Sequence, residues 1–368
     1  CKNRNYLSKL KLILEKRRLG SKINTDVVIK IIKDVKKNKQ KALLKYEKKF
    51  SKNNKIKPSK DEINKSIKSL DPKIKKAIDF AYSRILKFHS LQKTKNIKYI
   101  DKINNRIDYK YIPLQSLGIY VPANLPSSLL MNAIPAKKIV GVKRVVLANP
   151  RLNGKLNPAV MYAAKKCGIS EIISAGGSQA IASLAYIQKV NKIIGPGNDY
   201  VVRAKKEVFG DVGIEGMLVG PSEITIVADK NTSLNEIVTS MISQAEHDSN
   251  SQCIIITNNL NLIKSIKKFL NKKLNKIPKK VIARKSLLKN GLIIKTYNNK
   301  QITDSINEIA PEHLELNVKN FKNLINKIYN AGSIMLGKYS PMSASDYAIG
   351  PSHCLPTLGS AKFSSGLN

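Results

Sequence analysis

RVVLANPRLNGKLNPAVMYAAKKCGISEIISAGGSQAIASLAYIQKVNKIIGPGN, residues 144–198, decides the fold class. RVVLA (144–148) is a short apolar, β-branched run, as in a strand buried on both faces. Asn157-Pro158 opens a helix that ends at Gly168, with proline in the first turn and glycine just past the end. Residues 171–175 form the next strand, 179–187 the next helix and 192–194 a further strand, with a helix over 199–208. Such β-α-β-α alternation predicts a parallel sheet covered by helices.

Downstream the alternation resumes. Residues 224–228 read as a strand, and 233–246 as a helix opened by a capping box from Ser233 to Glu236. A strand follows at 253–257, then a lysine-rich amphipathic helix at 260–274 and strands at 292–295 and 333–336. A second α/β unit therefore follows the first. Residues 341–368, rich in Ser, Pro and Gly, read as loop. Upstream, residues 1–112 are mostly helical. Val28, Ile31, Ile32 and Val35 recur at i, i+3, i+4 and i+7, Ala42, Leu43, Tyr46 and Phe50 continue that spacing, and 60–90 repeats it with a lysine-rich outer face. Residues 107–112 alternate apolar and polar and read as a strand.

The 368 residues carry a formal net charge of +41, which raises nucleic acid as a partner. The lysines are instead spread over many helical faces, far outnumber arginine, and accompany no nucleic-acid-binding motif, so composition bias explains them and no nucleic-acid partner is expected. The least basic stretches, 169–184 and 210–229, are where a site is expected. No apolar run approaches the roughly 18 residues of a membrane span, so no membrane partner is expected. Four dispersed cysteines make no Cys-x-x-Cys pair, which points to a reducing, cytoplasmic compartment.

Of four histidines, His89 lies in a lysine-rich helical stretch and reads as a surface or packing residue. The other three stand in polar clusters. In SQAEHD (243–248), Gln244 and His247 share a helix face, one turn apart. They could hold a divalent metal, but spacing alone favours a helix end, because Gln is a rare zinc ligand. In APEHL (310–314), Glu312 and His313 on an extended chain would point to opposite sides of a substrate, as an acid–base pair or simply as a solvated loop pair. Near the end, SASDY (343–347) and His353-Cys354 offer Asp346 as a hard oxygen ligand, or an ordinary surface turn. Cys354 beside His353 also leaves a thiol-dependent aldehyde dehydrogenase open. The glycine turns GGSQ (176–179) and GPGN (195–198) lie between strands and helices and suit phosphate groups, though neither is Gly-x-Gly-x-x-Gly.

In order along the chain, GIYVP (118–122), PSSLLMNAIPA (126–136), GGSQAIASLAY (176–186), KIIGPGN (192–198), GPSE (220–223), SQAEHDSNSQ (243–252), APEHLEL (310–316), SASDYAIGPSHCLPT (343–357) and AKFSSGL (361–367) closely resemble the histidinol dehydrogenases. The resemblance implies two incomplete Rossmann-like parallel-sheet units with a helical N-terminal region, an aldehyde dehydrogenase-like architecture assembled as an intertwined homodimer. It implies an arm over 1–20, a substrate and zinc domain from 21–119 with 225–368, and a cofactor domain over 120–224. It implies oxidation of L-histidinol through histidinaldehyde to L-histidine with two NAD and one Zn2+ per subunit. Gln244, His247 and Asp346 would be zinc ligands and also substrate contacts, as would Ser222, His313 and His353. Glu312 and His313 would be the acid–base pair, and Tyr120, Gln179 and Asn198 would touch NAD. The family continues beyond FSSGL into a tail that supplies a Glu and, across the dimer, a His as fourth zinc ligand; the sequence given stops at Asn368, so it is expected to be a fragment or to have an incomplete zinc shell. Oxidation through a hydrate, with no thiol adduct, is expected.

Overall fold

The computed structural model describes residues 5–19, 24–122, 124–215, 220–347, 349–351 and 355–366, with the backbone alone at 18, 19, 346 and 347. Two compact units divide the chain, one of residues 24–217 with 347–354, the other of 1–23, 218–346 and 355–368.

In the first unit, β1 (Ile97–Ile100) and β2 (Arg106–Tyr109) form an antiparallel hairpin. Then β3 (Ser116–Tyr120), β4 (Arg144–Ala148), β5 (Glu171–Ile173), β6 (Lys192–Ile194) and β7 (Gly213–Ile214) make a parallel sheet in the order β5-β4-β3-β6-β7. The second unit repeats the plan with β8 (Glu223–Ala228), β9 (Gln252–Thr257), β10 (Gly291–Lys295), β11 (His313–Asn317) and β12 (Ser333–Leu336), ordered β10-β9-β8-β11-β12. In each sheet the first strand is central. The chain moves outward to one side and then returns to start the other, creating a switch point between β3 and β6 and another between β8 and β11.

The helices follow the expected periodicities, with a few instructive differences. The helix Thr25–Ser51 bends at Lys39, whose φ of 47° breaks the helical path. Each half buries its own stripe, Val28, Ile31, Ile32 and Val35 before the kink and Ala42, Leu43 and Tyr46 after it. That stripe packs in one core with Val146, Ala180, Ile181, Leu184 and Ile193. Residues 24–119 therefore lie in the unit of the β3–β7 sheet, not with 225–368 as expected; long-range packing of an amphipathic face decides this. Ser233 is the N-cap of Leu234–Ala245, but its side chain makes no capping bond, so the expected capping box is not formed. The expected C-terminal loop contains a short helix, Met342–Tyr347, and a 3-10 turn, Ser360–Lys362. His89 is buried, with Nδ1 2.5 Å from Gln92 Oε1, which makes it a packing residue. Among the described residues no helix is long and apolar enough to cross a membrane.

One glycine in the first unit is required by close approach. At Gly195 φ is +108°, and an added Cβ would stand 2.0 Å from the Tyr120 carbonyl oxygen. Beneath the same turn the fully buried Lys205 donates from Nζ to the Gly195 carbonyl at 2.5 Å. Gly195→Ala is expected to destabilise the protein by roughly 2–4 kcal/mol, combining left-handed strain with a backbone overlap. An unchanged thermal midpoint would show that the turn yields without cost.

Candidate functional site

The candidate catalytic residues gather at the amino ends of the second sheet. His313 opens β11 and pairs in register with Ile224 of β8, while Glu312 precedes the strand. Residues 310–314, read as a loop or a strand start, are both: Ala310 closes the preceding helix in a left-handed conformation, and the strand begins three residues later. Both side chains are buried. They do not diverge to opposite sides, because Glu312 lies outside the regular pleat. They converge on the main chain of Glu223. The Glu223 N–H donates to Glu312 Oε2 at 2.8 Å, and His313 Nδ1 lies 3.0 Å from the Glu223 carbonyl oxygen. Nδ1 and Glu312 Oε2 are 3.5 Å apart. A carbonyl only accepts, so this contact puts a proton on Nδ1 and leaves Nε2 as the basic nitrogen of the neutral ring.

Gln244 sits in the last turn of the helix Leu234–Ala245, which runs back to this same end of the sheet. His247 follows just past the helix end, its N–H donating to the Gln244 carbonyl at 3.2 Å. The Gln244 side chain is fully buried, yet neither amide atom has a hydrogen-bond partner among the described residues. An amide so placed costs free energy unless something absent from the polypeptide satisfies it. His247 is exposed by area, but the protein packed behind its ring, and next the Lys279 ammonium, push its pKa below the ordinary histidine value. The neutral imidazole that metals require is favoured. A buried orphan amide oxygen beside a neutral imidazole fits a divalent cation. Among the described residues, no three His, Cys, Asp or Glu side chains group to hold one.

Glu315 ties the remaining segment in. Its buried Oε1 accepts from the Met342 N–H at 2.7 Å and from Ser240 Oγ at 3.2 Å. One carboxylate thus joins β11, the helix that carries Gln244 and the helix Met342–Tyr347 that carries Asp346. Burial pushes its pKa up, against these donors. Glu315 thus links these three segments by hydrogen bonds. The Asp346 side chain, and His353 with Cys354, lie outside the described residues. Ser222 is half-buried and accepts at its carbonyl from the Gln252 N–H at 3.0 Å.

The candidate cofactor residues lie at the opposite, carboxyl ends of the first sheet. Tyr120 ends β3, Gln179 is in the first turn of the helix Gly177–Tyr186 after β5, and Asn198 caps the helix Asp199–Val208 after β6. Tyr120 Oη accepts from the Gly177 N–H at 3.3 Å, and Ser178 Oγ donates to the Tyr200 carbonyl at 3.1 Å. This is the switch point where open parallel sheets bind nucleotides. Two helices start there behind glycine turns, an arrangement that suits a dinucleotide, although the Gly176 and Gly177 N–H groups themselves are held by Glu47 and Tyr120.

A family model described as histidinol dehydrogenase matches residues 14–368. The chain belongs to the histidinol dehydrogenase family. Histidinol dehydrogenases are oxidoreductases of the final step of histidine biosynthesis. The histidinol dehydrogenase of Pelagibacter ubique (strain HTCC1062) is 56% identical over 374 residues, covering 100% of this chain and 87% of that protein. The Bacillus subtilis (strain 168) histidinol dehydrogenase is 41% identical, covering 95% and 84%. The crystal structure of histidinol dehydrogenase from Elizabethkingia anophelis superposes with a TM-score of 0.89 at 36% identity, covering 95% of this chain and 82% of that one. An acetylating aldehyde dehydrogenase from Geobacillus thermoglucosidasius shares the fold, with a TM-score of 0.50 at 11% identity, covering 94% of this chain and 87% of that one. The aldehyde dehydrogenase-like architecture expected of a histidinol dehydrogenase is therefore present.

Three residues that the sequence reading passed over organise these sites. Glu223 orients Glu312 and His313, Glu315 gathers the segments around them, and Glu47 accepts from the Gly176 N–H at 2.9 Å and from Gln179 Nε2 at 2.7 Å. Glu315 alternates with apolar neighbours as on a half-exposed strand, and Glu47 sits among helical lysines; only their burial sets them apart. In metal-free protein, Gln244→Met should remove the orphaned amide and raise stability by about 1–2 kcal/mol. Urea denaturation in the presence of a chelator measures this; equal or lower stability would mean the amide is already satisfied.

Proposed function

We propose that the protein oxidises L-histidinol through histidinaldehyde to L-histidine, using two NAD and one zinc ion per subunit. The observation that carries this reading is the convergence of Glu312 and His313 on one residue, with a main-chain carbonyl fixing the histidine tautomer. His313 Nε2 takes the hydroxyl proton as the carbinol carbon loses its hydride, and the product is the aldehyde. Glu312 takes a proton from the water that adds to the aldehyde carbon while the protonated His313 Nε2 returns its proton to the carbonyl oxygen, giving the hydrate and freeing Nε2 for the second stage. His313 then takes a hydrate proton as the second hydride leaves, and the carboxylate results. NAD, when bound at the carboxyl ends of β3 and β6 by Tyr120, Gln179 and Asn198, supplies the hydride acceptor. Gln244, His247 and Asp346 would hold the zinc, which would supply a Lewis acid to the bound substrate. Ser222 and His353 are read as further substrate contacts.

A homodimer is part of this reading. The hairpin of β1 and β2 leaves Ile97, Tyr99, Ile100, Ile107 and Tyr109 each more than half exposed. A lone two-stranded hairpin is marginal in water, so a covering second copy accounts for its apolar surface. The buried free thiols of Cys167 and Cys253 accord with a reducing, cytoplasmic setting.

Supplied with histidinol, the zinc-loaded enzyme should release about two NADH per substrate, because an alcohol-to-acid oxidation gives up two hydrides. A yield near one, or turnover unaffected by zinc removal, would sink the four-electron, zinc-dependent reading. Glu312→Gln should spare aldehyde formation and slow aldehyde oxidation by about 100-fold or more. Stopped-flow absorbance with histidinol and with histidinaldehyde separates the two stages, and equal losses in both would refute this division of roles.

A further inference from the structure

The helix Tyr6–Leu19 carries an arginine that the reaction as described leaves unused. Arg17 is mostly buried, its side chain 10% exposed, and it pairs through Nη1 with Oε1 of Glu223, whose side chain is 1% exposed. Nη2 donates to the Pro221 carbonyl at 3.2 Å and to the Asn250 carbonyl at 3.5 Å. The Leu358 N–H reaches the same Glu223 oxygen at 3.1 Å. A planar guanidinium reaches several acceptors at once in a way an ammonium cannot. Its acceptors flank Ser222 on both sides and lie three residues beyond His247. The Glu223 main chain, in turn, touches both Glu312 and His313.

We propose that Arg17 is a positioning residue for the acid–base pair, holding Glu223 so that its peptide N–H and C=O aim the Glu312 carboxylate and the His313 ring. The inference rests on the reading of those two residues as acid and base. Without the guanidinium, the Glu223 carboxylate keeps the Leu358 amide as its one described donor in a buried place. It must then shift towards other donors. That shift moves the start of β8 and both groups hung on it. Small misplacements of catalytic groups cost rate far more than binding. Because Glu312 and His313 share one anchor, both oxidation stages slow together, unlike the loss expected from Glu312→Gln.

The test compares the full-length wild type with Arg17→Ala and Arg17→Lys, using histidinol and histidinaldehyde separately. It follows kcat, the KM for NAD, zinc content and the thermal midpoint. Arg17→Ala should lower kcat about 10- to 100-fold with both substrates while the KM for NAD and the zinc content hold. Millimolar guanidinium should restore part of the lost rate, and Arg17→Lys should fall between. Wild-type kcat in Arg17→Ala, a loss confined to the aldehyde stage, or a loss that tracks zinc release without guanidinium rescue would each overturn the proposal. If Arg17→Ala does not fold, Arg17→Lys and Glu223→Gln are judged by the same split between kcat and KM. Absence of NADH from the zinc-loaded wild type would instead overturn the assigned reaction, a distinct failure.

Discussion

A carboxylate taken out of water must collect donors or give up its charge, and that constraint shapes both halves of this protein. Glu47, Glu223, Glu312 and Glu315 are all buried. Each collects hydrogen bonds from segments far away in sequence. Glu47 gathers the GGSQ turn, Glu223 gathers the N-terminal helix and Leu358, Glu312 gathers the start of β8, and Glu315 gathers two helices. The apolar sheets supply the bulk of the stability; these acids decide which loops are held and where.

The two sheets use one topology for opposite purposes. In the first, the candidate cofactor residues stand at the carboxyl ends of the strands, beside the switch point where helix starts present N–H groups. In the second, the catalytic candidates stand at the amino ends of β8 and β11, with Gln244 at the end of a returning helix. Helix starts suit phosphates, whereas proton transfer and metal binding need carboxylates and imidazoles on a well-packed backbone. On the proposed reading, a repeated fold would divide the work by which rim of the sheet carries side-chain chemistry.

In the proposed zinc site Gln244 would be a case of stability given up for function. An amide buried without partners in the polypeptide is unfavourable, and the neighbouring imidazole is biased towards its neutral form. Both features are liabilities in a protein selected only to fold, and both are assets around a cation. Lys205 beneath Gly195 is the contrasting case, a buried charge met by a carbonyl that shapes a turn.

The sequence by itself determined the alternating α/β plan, the kind of chemistry and the family, because strand and helix periodicity and the ordered motifs are local properties of the chain. By themselves APEHL and SQAEHD read equally as a solvated loop pair and a helix end; the ordered set of motifs, through the family resemblance, gave them a function. The tertiary structure decided the rest. It assigned residues 24–119 to the first unit, because a helical stripe shows its period but not the sheet that will cover it. It left the Ser233 capping box unformed and turned Glu312 and His313 towards one another, since the residue before β11 escapes the pleat. It raised Arg17, Glu47, Glu223 and Glu315 from ordinary charged residues to organisers. Nothing in their neighbouring letters distinguishes a buried acid from a solvated one; that difference arises only when distant segments close around it and remove the water.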